Sequence, residues 1–118
     1  MSQSAIRYKG HSTYIKDEDL REFLKLLSFH VEDVMRDQND LNWIADAIRE
    51  WMDDHEGLPP GLRDIELDDF ATGPVRVDAL TRFLDGLLKL SIGDGGPYDR
   101  ARAVLIVERV LGELKSNT

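Results

Sequence analysis

The stretch Asp17-Glu18-Asp19-Leu20-Arg21-Glu22-Phe23-Leu24-Lys25-Leu26-Leu27-Ser28-Phe29-His30-Val31-Glu32-Asp33-Val34-Met35 decides the fold class. At about 100° per residue, Leu20, Phe23, Leu24, Leu27, Val31, Val34 and Met35 fall on one stripe of a helix. Asp17, Glu18 and Asp19 open that helix, where negative charge suits the positive end of its dipole. Leu26 and Phe29 lie well off the stripe and need a separate cover: the chain's own Tyr8 and Tyr14 arm, another helix, a partner or a second copy.

Toward the C-terminus the same period recurs. Asn39 or Asp40 caps a second helix whose buried face is Leu41, Ile44, Ala45, Ile48, Trp51 and Met52. It should end near His55-Glu56-Gly57, because Pro59-Pro60-Gly61 cannot continue it. Residues 62–77 read as loop with short structure: Ile65-Glu66-Leu67 alternates like a strand, while Leu62, Ile65 and Asp69 equally suit a helical turn. A third helix runs to about Leu90, starting either at Asp78 as a cap after extended Val75-Arg76-Val77, or at Pro74. Leu80, Phe83, Leu84, Leu87 and Leu88 share its face, and Asp78 to Arg82 and Asp85 to Lys89 are spaced as exposed ion pairs. Gly93-Asp94-Gly95-Gly96 is a loop, and Pro97 starts a fourth helix with Val104, Val107, Val110, Leu111 and Leu114 inward.

Toward the N-terminus, residues 1–16 carry Arg7, Lys9 and Lys16 and no acid. Ile6, Tyr8, Tyr14 and Ile15 around Lys9-Gly10 form either a short hairpin or an irregular arm. The expectation is a mainly α chain, one compact domain (1–118) of about four amphipathic helices, with a basic N-terminal arm or hairpin (1–16) and an acidic connecting region (53–77).

The chain has 118 residues, 15 Lys plus Arg against 23 Asp plus Glu, and a formal net charge of −8. It has no cysteine, which excludes disulfides, thiolate metal sites and cysteine nucleophiles and fits a reducing, cytoplasmic setting. Met1 to Tyr14 lacks an apolar signal core and no run approaches the ~20 apolar residues of a membrane span, so neither secretion nor a membrane partner is expected. The negative charge disfavours direct nucleic-acid binding, whose affinity comes from Lys and Arg releasing counterions. It favours a basic partner.

No catalytic or metal constellation has the required spacing. His11, His30 and His55 lack partners at metal-binding intervals. Asp64-x-Glu66-x-Asp68 has alternating acids, but Asp69 stands where a calcium loop needs glycine and Val75 where it needs a bidentate glutamate. Gly93-x-Gly95-Gly96 lacks the Gly-Lys-Ser/Thr ending of a phosphate loop, and no serine lies in a Gly-x-Ser-x-Gly elbow. No cofactor and no enzymatic activity are expected; a small enzyme built on paired carboxylates is a minor alternative.

Acid is concentrated instead. Asp53 to Asp69 holds seven acids (Asp53, Asp54, Glu56, Asp64, Glu66, Asp68 and Asp69) against one base, Arg63. Asp46, Glu50 and Asp53 lie opposite the apolar face of the second helix, with Trp43 at its margin either as an anchor for a basic partner or half-buried in the core.

With its helical, cysteine-free make-up, its acid-rich region Asp53 to Asp69, and opening words such as Ile6-Arg7-Tyr8-Lys9-Gly10-His11-Ser12 and Tyr14-Ile15-Lys16-Asp17-Glu18-Asp19-Leu20, the chain resembles the small acidic immunity proteins of bacterial toxin–immunity systems, of the contact-dependent inhibition or colicin type. The resemblance implies stoichiometric, non-catalytic binding of a cognate toxin domain, often a nuclease with a basic site. Trp43, Asp46, Glu50, Asp53, Asp54, Glu56, Asp64, Glu66, Asp68 and Asp69 would then form the partner-binding surface. A regulatory or adaptor module that docks a partner on Leu26 and Phe29 is the competing reading.

Overall fold

The computed structural model of the chain describes residues 2–35, 42–59, 61–90 and 98–116. Its N-terminal arm is a hairpin: β1 (Gln3–Tyr8) pairs antiparallel with β2 (His11–Lys16), with Tyr8 opposite His11. Lys9 and Gly10 connect them with φ of 47° and 83°. Two successive positive φ values make a type I′ turn, whose twist matches that of the strands it joins. Ser4, Ile6, Tyr8 and Ile15 are buried beneath the hairpin.

A third strand, β3 (Ile65–Glu66), joins β1 in parallel with Ile6 opposite Ile65, giving the order β2-β1-β3. A single helical turn, α3 (Leu67–Phe70), follows at once. The segment expected to be loop thus contains both alternatives in succession, Ile65-Glu66 as strand and Leu67 onward as helix. Among the described residues the chain is mainly α, with four long helices as expected, and to these are added the single turn α3 and a small three-stranded sheet.

Helix α1 (Asp17–Met35) leaves β2 without a linker and packs against the three other long helices. These are α2 (Asn42–Gly57), α4 (Pro74–Leu90) and α5 (Arg100–Ser116). Leu20, Phe23, Leu24 and Leu27 are buried as the stripe predicts. Leu26 is buried too, completely, because α1 is surrounded and buries more than one narrow stripe. The two-residue apolar surface of Leu26 and Phe29 therefore does not exist: only Phe29 reaches solvent, edge-on to His30 and Tyr98. His30 itself is buried, with Nε2 2.7 Å from the Tyr98 hydroxyl.

On α2 the buried residues are Ile44, Ala47, Ile48, Trp51 and His55, while Ala45 and Met52 sit at the edge of the core. Helix α4 begins at Pro74 and not at Asp78. Proline loses nothing in a first turn, and the Val77 N–H donates to Gly73 O at 3.1 Å to close it. Asp78 does pair with Arg82 at 2.9 Å, but Asp85 reaches across to Lys115 of α5 at 3.6 Å instead of along its own helix to Lys89. Helix α5 starts at Arg100 and is held to α1 at its first turn. Glu22 Oε1 accepts from Asp99 N at 2.9 Å, and Arg102 meets Asp19 at 3.4 Å. The expected cap at Asn39 or Asp40, Leu41, Pro60 and the loop from Gly93 to Pro97 lie outside the described residues, as do the side chains of Val34 and Met35.

The radius of gyration is 13.2 Å, close to the ~13 Å of a compact chain of this length. No helix among the described residues is long and apolar enough to cross a membrane.

Candidate functional site

The ten candidate residues divide into two groups with different fates. Asp64, Glu66 and Asp68 are consumed by the chain's own hairpin. In an antiparallel pair alternate residues of a strand direct their backbone groups to opposite sides, so the N–H groups of Ala5, Arg7 and Lys9 face away from β2. Strand β3 is too short to meet all of them. Asp64 Oδ1 accepts from Ala5 N at 2.7 Å, and Asp68 accepts from Lys9 N at 2.9 Å. The two carboxylates bracket the short strand and complete its pairing. Between them the Arg7 guanidinium bridges Asp64 at 2.6 Å and Glu66 at 2.8 Å. The hydrogen bonds that Arg7 donates to Glu66 and then Asp64 raise its pKa above the ordinary value. This part of the acidic region is the electrostatic partner of the basic arm of the same chain.

Trp43 is drawn inward as well. It is half-buried against the core, with the Arg76 guanidinium 4.8 Å from its ring centroid, and Arg76 also donates to Phe70 O at 3.1 Å. The cation that faces this tryptophan therefore belongs to α4.

The second group stays open. Asp46, Glu50, Asp53, Asp54 and Glu56 are all exposed along α2, and Asp69 is exposed on α3. Asp46 meets Arg49 at 3.7 Å with both side chains in solvent, a geometry worth little, roughly 0–1 kcal/mol. The other five make no side-chain hydrogen bond or ion pair among the described residues. Asp53, Asp54 and Glu56 crowd the last turn of α2, where the helix dipole is negative and carboxylates are disfavoured. Beside them a cleft of about 440 Å³ opens between α1 and α2. Val31, Ile48 and Met52 supply its apolar walls, and Arg49, Asp53 and Glu56 its charged ones.

A buried polar group that sequence spacing missed lies behind the sheet. Asp17 Oδ1 accepts from Ser4 Oγ at 2.6 Å, Asp17 Oδ2 from Gly61 N at 2.7 Å, and Arg63 N donates to Ser4 Oγ at 3.0 Å. His55 Nε2 donates to the Asp17 carbonyl oxygen at 3.1 Å. Serine, aspartate and histidine thus meet, but in the wrong order for nucleophilic catalysis: the imidazole is bonded to a backbone carbonyl, and Ser4 is withdrawn from solvent. The group ties β1, the start of α1, the end of α2 and the 61–63 turn together. In the sequence Asp17 offers only its helix-dipole signal. Among the described residues no group of three or more His, Asp or Glu side chains is placed to hold a metal ion.

Compared with protein families, curated proteins and solved structures, the chain matches none of them.

Proposed function

We propose that this chain is a non-catalytic, cytoplasmic binding protein that neutralises a cognate toxin domain with a basic, nuclease-type surface, and that the open acidic face of α2 is where that domain sits. The observation that carries the reading is the unrelieved last turn of α2. Asp53, Asp54 and Glu56 are placed against their helix dipole without an ion partner among the described residues, and Asp53 and Glu56 line the cleft beside Val31, Ile48 and Met52. The chain relieves its other crowded acids, at Asp64, Glu66 and Asp68, with its own arginine and backbone amides. A partner that brings Lys and Arg to α2 would supply what the fold withholds there. Its apolar side chains would enter the cleft lined by Val31, Ile48 and Met52. Charge complementarity then accelerates encounter, and the desolvated contacts set the lifetime.

The test is whether the reading frame directly follows one that encodes a large protein and, where it does, co-expression with the C-terminal fragment of that protein, followed by binding measurements on the purified pair. The variant combining Asp53→Asn, Asp54→Asn and Glu56→Gln is expected to weaken the complex by about tenfold or more and to flatten its salt dependence. Unchanged affinity and unchanged salt slope would remove the α2 face from the mechanism.

A further inference from the structure

Strand β2 is the outer strand of the sheet, and its outward edge is open. Because His11, Thr13 and Ile15 pair toward β1, the backbone groups of Ser12, Tyr14 and Lys16 point away from the sheet. Among the described residues the outward groups of Ser12 and Tyr14 have no partner. The strand has neither bulge nor proline, two of the devices that keep such an edge from pairing.

Helix α5 runs beside this edge and leaves a groove along it. Its inner half, about 290 Å³, lies between Tyr14, Ile15 and Lys16 and the α5 residues Arg102, Leu105 and Arg109. Its outer half, about 560 Å³, continues from Arg109 past Gly112 to Ser116, opposite His11 and Thr13. From Arg102 to Ser116 the helix covers ~21 Å, the length of a six-residue strand at ~20 Å. Tyr14 and Leu105 are 60% and 62% exposed at the inner half, large apolar groups with nothing over them.

Gly112 supplies an independent sign. It lies within a regular helix, where glycine is disfavoured, yet a Cβ added there would meet nothing within 4 Å. The packing of this chain gives no reason for it. A second backbone approaching α5 closely would. Charge identifies the visitor's character. Two acids, Asp19 and Glu113, also line the groove, but Asp19 is already paired with Arg102 at 3.4 Å, whereas neither Lys16 nor Arg109 has an ion partner among the described residues. A second copy of β2 would bring Lys16 and His11 toward like groups, so an acidic strand fits better.

We infer that the groove between β2 and α5 binds an extended, acidic segment of another polypeptide, which adds to the sheet as a strand beside β2. Main-chain hydrogen bonds to Ser12 and Tyr14 hold it, Lys16 and Arg109 take its carboxylates, and its backbone passes over Gly112. This surface shares no residue with the acidic cleft between α1 and α2 and stands or falls separately from it.

The probe is a displayed library of random octapeptides, selected on the intact protein. Selected peptides are expected to be enriched in Asp and Glu and to slow amide exchange at Ser12 and Tyr14. Gly112→Gln should raise the melting temperature of the free protein while weakening the peptides about tenfold or more, and Ser12→Pro, which removes an outward N–H, should weaken them similarly with the circular dichroism unchanged. Gly112→Ala, smaller, should stabilise the protein with a lesser effect on binding. Failure to select any peptide, selection without acidic bias, equal binding to Gly112→Gln, or unaltered exchange at Ser12 and Tyr14 would each overturn the inference. So would a concentration-dependent dimer abolished by Ser12→Pro, which would assign the edge to a second copy.

Discussion

Asp17 is 7% exposed, and its carboxylate accepts through both oxygens, from the Ser4 hydroxyl on one side and from the Gly61 amide on the other. Gly61 can present that amide because its φ is +87°, a conformation that other residues rarely adopt. Asp17→Ala would strand both donors, each at about 1–3 kcal/mol, so a loss of about 2–4 kcal/mol in urea denaturation is expected. Asp17→Asn keeps one acceptor and should lose less. A loss below about 0.5 kcal/mol for the alanine variant would mean that the group does not tie the sheet to the helices, since that is the range of an ordinary surface substitution. None of this is legible from spacing. Ser4, Asp17, His55 and Gly61 are scattered along the chain, and Arg7 meets Asp64 only because β3 docks beside β1. An acid-rich segment advertises its charge in the sequence but not the partner folded against it.

Helix α2 carries the same residue types with the opposite outcome. Its last-turn carboxylates oppose the dipole, each by about 0.3–1 kcal/mol at low ionic strength. The triple variant Asp53→Asn, Asp54→Asn, Glu56→Gln should therefore stabilise the free protein by about 1–2 kcal/mol in low salt, measured by thermal unfolding, with the gain shrinking as salt is added. A destabilised variant would show that these acids serve the fold, and the argument for an outside partner would lose its basis. The long helices were readable because helical periodicity is local: the α1 stripe, the stop at Gly57 and the start at Pro74 each depend on neighbouring residues. Strand β3 was readable only as one of two alternatives, because two residues make no period of their own. Their extended form is set by Ile6 and Arg7, almost sixty positions away. The cover of Leu26 was left open between the chain's own elements and a partner for a related reason, since a stripe counts one buried face and α1 has neighbours on several sides.

Across the whole molecule, acids fall into those that join elements and those that face solvent, and pH separates the two. Glu22 is of the first kind. Its carboxylate links α1 to the first turn of α5 through the Asp99 N–H, with Arg21 at 3.3 Å and Lys25 at 3.7 Å. Burial by itself would raise its pKa, but the Asp99 amide and the two cations outweigh burial and hold it below the ordinary value of 4.5. A group whose pKa is lower in the folded than in the unfolded chain binds protons more readily when unfolded. Its stabilising contribution is therefore complete above pH 4.5 and is lost as the pH falls through the depressed value. Glu22→Gln removes the charge but keeps an acceptor for Asp99. Wild type should exceed this variant in urea midpoint by a constant margin near neutrality, and the margin should close on acidification below pH 4.5. A margin that persists in acid would show that the side chain acts through its shape and not its charge. A margin that closes would show that protonating Glu22 weakens the junction of α1 and α5, the helix that forms one wall of the groove beside β2.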